Sequence, residues 1–115
     1  MNEGLTVIGN RAFLECKLMA SPTLPSSLKR IDSEAFSCCF EINSITLPDG
    51  IEILDTFVFW ATPLKELVLP KSLIFIGDDI CVWDSPNNTP LYLVYADTYG
   101  QTWAEDSKVL YRILE

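Results

Sequence analysis

Apolar and polar positions return along this chain with a period of 22 to 23 residues. The pairs Leu24-Pro25, Leu47-Pro48 and Leu69-Pro70 set that period, their prolines standing 23 and 22 residues apart. Three residues past each proline comes an aliphatic side chain (Leu28, Ile51, Leu73), and three further on a second (Ile31, Leu54, Ile76), a row that Ile8 joins from the first coil. Two residues later stand Asn10, Ser33, Thr56 and Asp78. Side chains of this kind accept a backbone N–H where a helix begins, so each coil is expected to start a short helical turn there. Ala12-Phe13, Ala35-Phe36, Val58-Phe59 and Ile80-Cys81 follow, and then Cys16, Cys39, Thr62 and Asp84. So many positions matching in register over three periods mark a structural repeat, which an isolated LxxLxL would not.

Ile45 and Leu47 flank Thr46 in the alternation of a strand, and equivalent segments of stacked coils would align into a parallel sheet. Thr23, Thr46, Val68 and Tyr92 then form an outward row on that sheet. A second parallel row is expected over Leu28 to Ile31, Ile51 to Leu54 and Leu73 to Ile76. One coil loses on the order of 20 to 45 kcal/mol of backbone entropy on folding, more than its few inward side chains offset alone. Coils must therefore stack, and stability becomes a neighbour effect.

The architecture implied is a right-handed α/β solenoid of short parallel strands and short helical turns closed by a C-terminal cap. It forms a single domain with coils at about residues 4–25, 26–48, 49–70 and 71–95 and the cap at 96–115. Thr98 to Ser107 would form the cap helix, with Tyr99 and Trp103 on one side, Trp103 as part of the core, and Glu105-Asp106 available to water. A one-residue deletion around Pro63 and the insertion Ser85 to Pro90 loosen the repeat in its later coils. At the other end residues 1 to 3 are too few to cover the first coil. That end is expected to be frayed, paired with another chain, or continued by further sequence.

The run from Leu28 through Ile31, Ala35-Phe36, Cys39, Ile42 and Ile45 to Leu47-Pro48 resembles the BspA-type leucine-rich repeat of bacterial surface proteins. The resemblance covers roughly residues 4 to 95, and Tyr95 to Leu114, opening on Ala96-Asp97-Thr98-Tyr99, is similar to the cap that closes such arrays. It implies a leucine-rich-repeat solenoid that binds protein, at the cell surface or secreted, in adhesion or in contact with host or extracellular-matrix proteins. The expected contact residues are Ser44, Thr46, Glu66, Val68 and Tyr92, on the sheet's outward row and its flank. The alternative is a structural terminal fragment, or a short solenoid that forms a homodimer through its uncapped N-terminal coil.

Composition narrows the chemistry further. Sixteen acidic residues against 8 basic ones give a net charge of −8, and Lys29-Arg30 is the one adjacent basic pair. A phosphate backbone needs a clustered cationic face, so nucleic acid and anionic membrane are disfavoured as partners. No apolar run reaches the length of a membrane span, and the opening residues lack the form of a signal peptide.

With no histidine, the Ser-His-Asp and Cys-His nucleophile systems and every His-bearing zinc site are excluded. The cysteines Cys16, Cys38, Cys39 and Cys81 contain no CxxC pair. Cys16 and Cys39 would stack one repeat apart, within the Cα separation a disulfide tolerates. A buried free-thiol ladder is the expected state, since two parallel side chains seldom have bridge geometry. Asp78-Asp79 with Asp84 lacks the alternating ligands and turn glycine of a calcium loop. Asn87-Asn88-Thr89 matches a glycosylation sequon but is followed by Pro90, and is read as loop chemistry. Paired carboxylates such as Asp32 with Glu34 or Asp49 with Glu52 read as solvated turn residues. No catalytic residue, metal ligand or cofactor is expected, and the chain is read as a non-enzyme.

Overall fold

The computed structural model describes residues 3–81 and 90–114. Asp84, the sequon and the inserted residues through Thr89 lie outside them. The elements in order are β1 (Val7–Ile8), β2 (Arg30–Ile31), β3 (Ile53–Leu54), β4 (Glu66–Val68), β5 (Phe75–Ile76), β6 (Leu91–Tyr95), α1 (Tyr99–Ser107) and β7 (Tyr111–Leu114).

The second of the two expected strand rows is the continuous one. β1, β2, β3 and β5 form a four-stranded parallel sheet with Ile8, Ile31, Leu54 and Ile76 in register. These four point inward, while Val7, Arg30 and Phe75 on the strands' other face are exposed. The other sheet is β4, β6 and β7, again parallel, and it begins only in the third coil. At Thr23 and Thr46 the inward and outward alternation holds but no strand is paired. The Leu-Pro repeat explains the shortness of this row, because each proline lacks the N–H a sheet ladder needs. In β6 the place of that proline is held by Tyr95, and β6 runs for 5 residues.

The segment after each first-sheet strand turns as expected, but it does not form a helical turn. Arg11, Glu34, Phe57 and Asp79 all lie in the left-handed region, with φ of 58°, 60°, 60° and 50°. Glu15, Cys38 and Ala61 repeat that conformation four residues later. The reversals send alternate N–H groups in opposite directions. Ala35 and Ser37 donate within the coil, to the carbonyls of Asp32 and Glu34, while Glu34, Phe36 and Cys38 donate to Thr56, Val58 and Trp60 of the next coil. A helix would keep all of these bonds to itself. The stacked turns direct alternate ones to the neighbouring coil and so add a third inter-coil ladder. The row Asn10, Ser33, Thr56, Asp78 serves this ladder instead of capping helices: Asn10 Oδ1 accepts the Ser33 N–H at 3.1 Å, one coil on.

Between these ladders the core is a set of columns. Leu28, Ile51 and Leu73 form one, all at most 2% exposed. Phe13, Phe36 and Phe59 form another, with successive ring centroids 5.1 and 5.9 Å apart and planes within 18° of parallel. The cysteine row lies beside the rings and is used for hydrogen bonding. Cys39 Sγ donates to the Phe13 carbonyl at 3.1 Å, and Thr62, one coil later, donates its hydroxyl to the Phe36 carbonyl in the same way. Thr62 also accepts the Cys39 N–H at 3.2 Å. The departure from cysteine at this position therefore preserves the contact. All four cysteines are free thiols.

Helix α1 is capped at its start by Thr98, whose hydroxyl accepts the Gln101 N–H, and ends on Lys108 in the left-handed conformation. It treats the two sheets differently. Tyr99 places its hydroxyl 3.1 Å from the Ile76 N–H, satisfying a donor at the edge of the first sheet. Trp103 packs edge-on against Tyr92 with ring centroids 5.0 Å apart. After the helix the chain returns as β7 and adds a strand to the second sheet, Tyr92 to Tyr95 pairing with Tyr111 to Leu114. The cap thus covers one sheet edge and lengthens the other sheet.

Candidate binding surface

The proline-bearing corner that leads from the second sheet row back to the first sheet carries two recesses. One recess of about 540 Å³ is lined by Glu3, Thr23, Ser26, Thr46, Leu47 and Asp49, among others. A second, of about 440 Å³, is lined by Thr46, Leu47, Asp49, Val68, Lys71 and Tyr95 with Pro70. Thr46, Leu47 and Asp49 border both, so the two form one trough running across the coils.

Its construction follows from the repeat. Thr23, Thr46 and Val68 stand on one side as outward positions next to inward leucines. Ser26, Asp49 and Lys71 stand on the other as the residues immediately after each proline. Glu3 at one end accepts the backbone N–H of Ser26 at 3.1 Å and its hydroxyl at 3.0 Å. Those bonds, the backbone one foremost, hold its carboxyl below the ordinary carboxylate range. At the other end the Lys71 ammonium lies 4.9 Å from the centre of the Tyr95 ring, a cation–π contact that fixes a positive charge beside an aromatic face.

Of the contact residues expected from sequence, Ser44, Thr46, Glu66 and Val68 are exposed on this face, with Thr46 and Val68 in the trough itself. Tyr92 is not there. It is 3% exposed and faces inward against Trp103, because the sheet pairs Tyr92 with Leu67 and puts Leu93 opposite Val68. The expected alignment was displaced by one residue. In a strand that displacement exchanges the two faces, and the inserted residues before β6 remove the spacing that would have fixed it. Asp49, Lys71 and Tyr95 went unrecognised, although Asp49 and Lys71 share a legible signal in following Leu-Pro at a 22-residue spacing.

Comparison with known proteins agrees with this architecture. Residues 1–83 match the model of the BspA type leucine rich repeat region, a family of six-copy arrays. The chain belongs to this family. Neither a search of curated proteins nor one of solved structures gives a match. BspA-type leucine-rich repeats are often surface-associated, and repeats of this kind act as protein-interaction modules on a scaffold that is typically non-enzymatic. Among the described residues no helix is long and apolar enough to cross a membrane, and no group of three or more metal-ligating side chains converges.

Proposed function

We propose that this chain is a protein-binding module that engages its partner along the trough between Thr23, Thr46 and Val68 on one wall and Ser26, Asp49 and Lys71 on the other. The observation that carries the reading is the continuity of the two recesses through Thr46, Leu47 and Asp49. An extended concave face with small polar, aliphatic and oppositely charged side chains suits a polypeptide surface. An extracellular partner, of host or matrix origin, is the occupant that the family's surface association favours, with adhesion as its consequence.

The reading is non-catalytic. Among the described residues the acids most strongly displaced from their ordinary values are Cys81 and Tyr92. Burial, first of all, drives both toward the protonated form, and they face each other away from the trough. Biolayer interferometry of the chain against immobilised extracellular-matrix proteins tests the binding face. The double variant Thr46→Lys with Val68→Lys should fold as the parent does and lose most of any saturable binding; retention of full affinity would refute the trough.

A second reading, self-association through the first coil, rests on Leu5 and Val7, 38% and 40% exposed beside a strand that pairs on one side, with β2. Light scattering across a range of concentrations would show a mass rising to that of a dimer, and Val7→Lys would return it to the monomer. Ile8 does not suit this test, since at 3% exposure it belongs to the core.

A further inference from the structure

On the turn ladder, the side of each coil away from the trough, two aromatic side chains stand in the open. Phe57 is 38% exposed and Trp60 37% exposed, and together with Glu34 and Ser37 they line a recess of about 280 Å³. The left-handed position in each coil carries, in order, Arg11, Glu34, Phe57 and Asp79. The Glu34 N–H donates to Thr56 and the Phe57 N–H to Asp78, so these coils are direct neighbours in the ladder. The Phe57 position therefore lies between two acidic ones.

The backbone at Phe57 is architectural, since every coil adopts it, but a bulky aromatic is a poor occupant of a positive φ. What distinguishes this coil is the choice of an exposed ring where its neighbours carry charge. The remaining groups at the recess are accounted for. Ser37 donates its hydroxyl to the Phe57 carbonyl at 2.6 Å, which ties the two coils together at that point. Glu34 meets Arg11 at 3.3 Å through Oε1, in a pair whose side chains are 65% and 31% exposed. Solvent-exposed pairs of that kind are weak and easily exchanged.

We propose that this recess is a second binding site, one that receives an arginine side chain of a partner protein. A guanidinium is planar and weakly hydrated; it stacks on aromatic faces and pairs with carboxylates. Phe57 and Trp60 supply the faces and Glu34 the charge. The net charge of −8 adds attraction for a basic partner at longer range. Arg11, from the preceding coil, already places a guanidinium on Glu34.

The test uses the full chain and does not depend on the trough. In two-dimensional spectra of the tryptophan indole N–H groups, the Trp60 signal is assigned by its loss in Trp60→Phe. Titration with N-acetyl-arginine methylamide should move that signal saturably, with the Trp103 signal unmoved. The citrulline counterpart, equal in shape and without charge, should need a several-fold higher concentration. The substitution Glu34→Gln should raise the half-saturation concentration several-fold, and Arg11→Ala, which releases Glu34, should lower it. A Trp60 signal that stays still, that responds equally to citrulline, or that responds unchanged in the Glu34→Gln chain would overturn the proposal.

Discussion

Thr62 offers the sharpest test of how the coils hold together. It is 2% exposed, and its one hydroxyl serves two neighbours, donating to the Phe36 carbonyl and accepting the Cys39 N–H. Thr62→Val keeps the shape and removes both bonds, leaving a buried acceptor and a buried donor without that partner. Each such stranded group costs about 1–3 kcal/mol, so a loss of about 2–4 kcal/mol is expected after allowing for the added methyl. For a chain of this size that corresponds to a fall in Tm of roughly 8–16 °C. Thr62→Cys is the informative control. A thiol donates weakly, but Cys39 shows that a sulfur at the equivalent place reaches the Phe13 carbonyl at 3.1 Å. Thr62→Cys should therefore lose only about 1 kcal/mol. Urea denaturation followed by circular dichroism measures both. A Thr62→Val chain within about 0.5 kcal/mol of the parent, or a Thr62→Cys chain less stable than Thr62→Val, would refute the bridging role.

Three further outcomes follow from the packing and the buried acids. Phe36→Ala, which empties the middle of the ring column, should cost about 3–5 kcal/mol. Phe13→Ala, at the half-buried end of that column, should cost clearly less; equal losses in denaturation would contradict a nearest-neighbour stack. Gly77→Ala should destabilise by about 1–3 kcal/mol, because an added Cβ would meet the Thr56 nitrogen at 2.4 Å. That clash outweighs the smaller benefit of a less flexible unfolded chain, and a raised Tm would show that the turn can yield. Burial pushes the Cys81 thiol up from 9.0 to about 12. Above pH 9 the unfolded chain releases this proton and the folded chain keeps it, so stability is full below that pH and falls as pH rises through the folded value. The Cys81 share of that slope should approach about 1.4 kcal/mol per pH unit, and Cys81→Ala should reduce the slope by about that amount in denaturation midpoints taken just above pH 9, below the range where Tyr92 adds its own loss.

The period of the chain, and with it the solenoid, was legible in the sequence because each coil meets the same environment. Rows such as Leu28, Ile51, Leu73 and Ile31, Leu54, Ile76 must repeat their chemistry for neighbours to stack, and a repeated demand is visible in one dimension. So was the cap helix, whose Thr98 start and Trp103 face depend on local spacing. Tertiary structure decided what depends on partners in the next coil. The turn after each strand carries capping-type residues, yet it gives alternate N–H groups to the adjacent coil, a choice that no single coil can make. The alignment of β6 was settled by pairing with β4 and β7, which turned Tyr92 inward against Trp103 after an insertion had erased the count. The trough and the Phe57–Trp60 recess emerge only when residues 22 or 23 positions apart become neighbours. Their positions recur with the coil, as Ser26, Asp49 and Lys71 do after each proline, but the side chains at those positions change from coil to coil, so the period marks the place and not the chemistry.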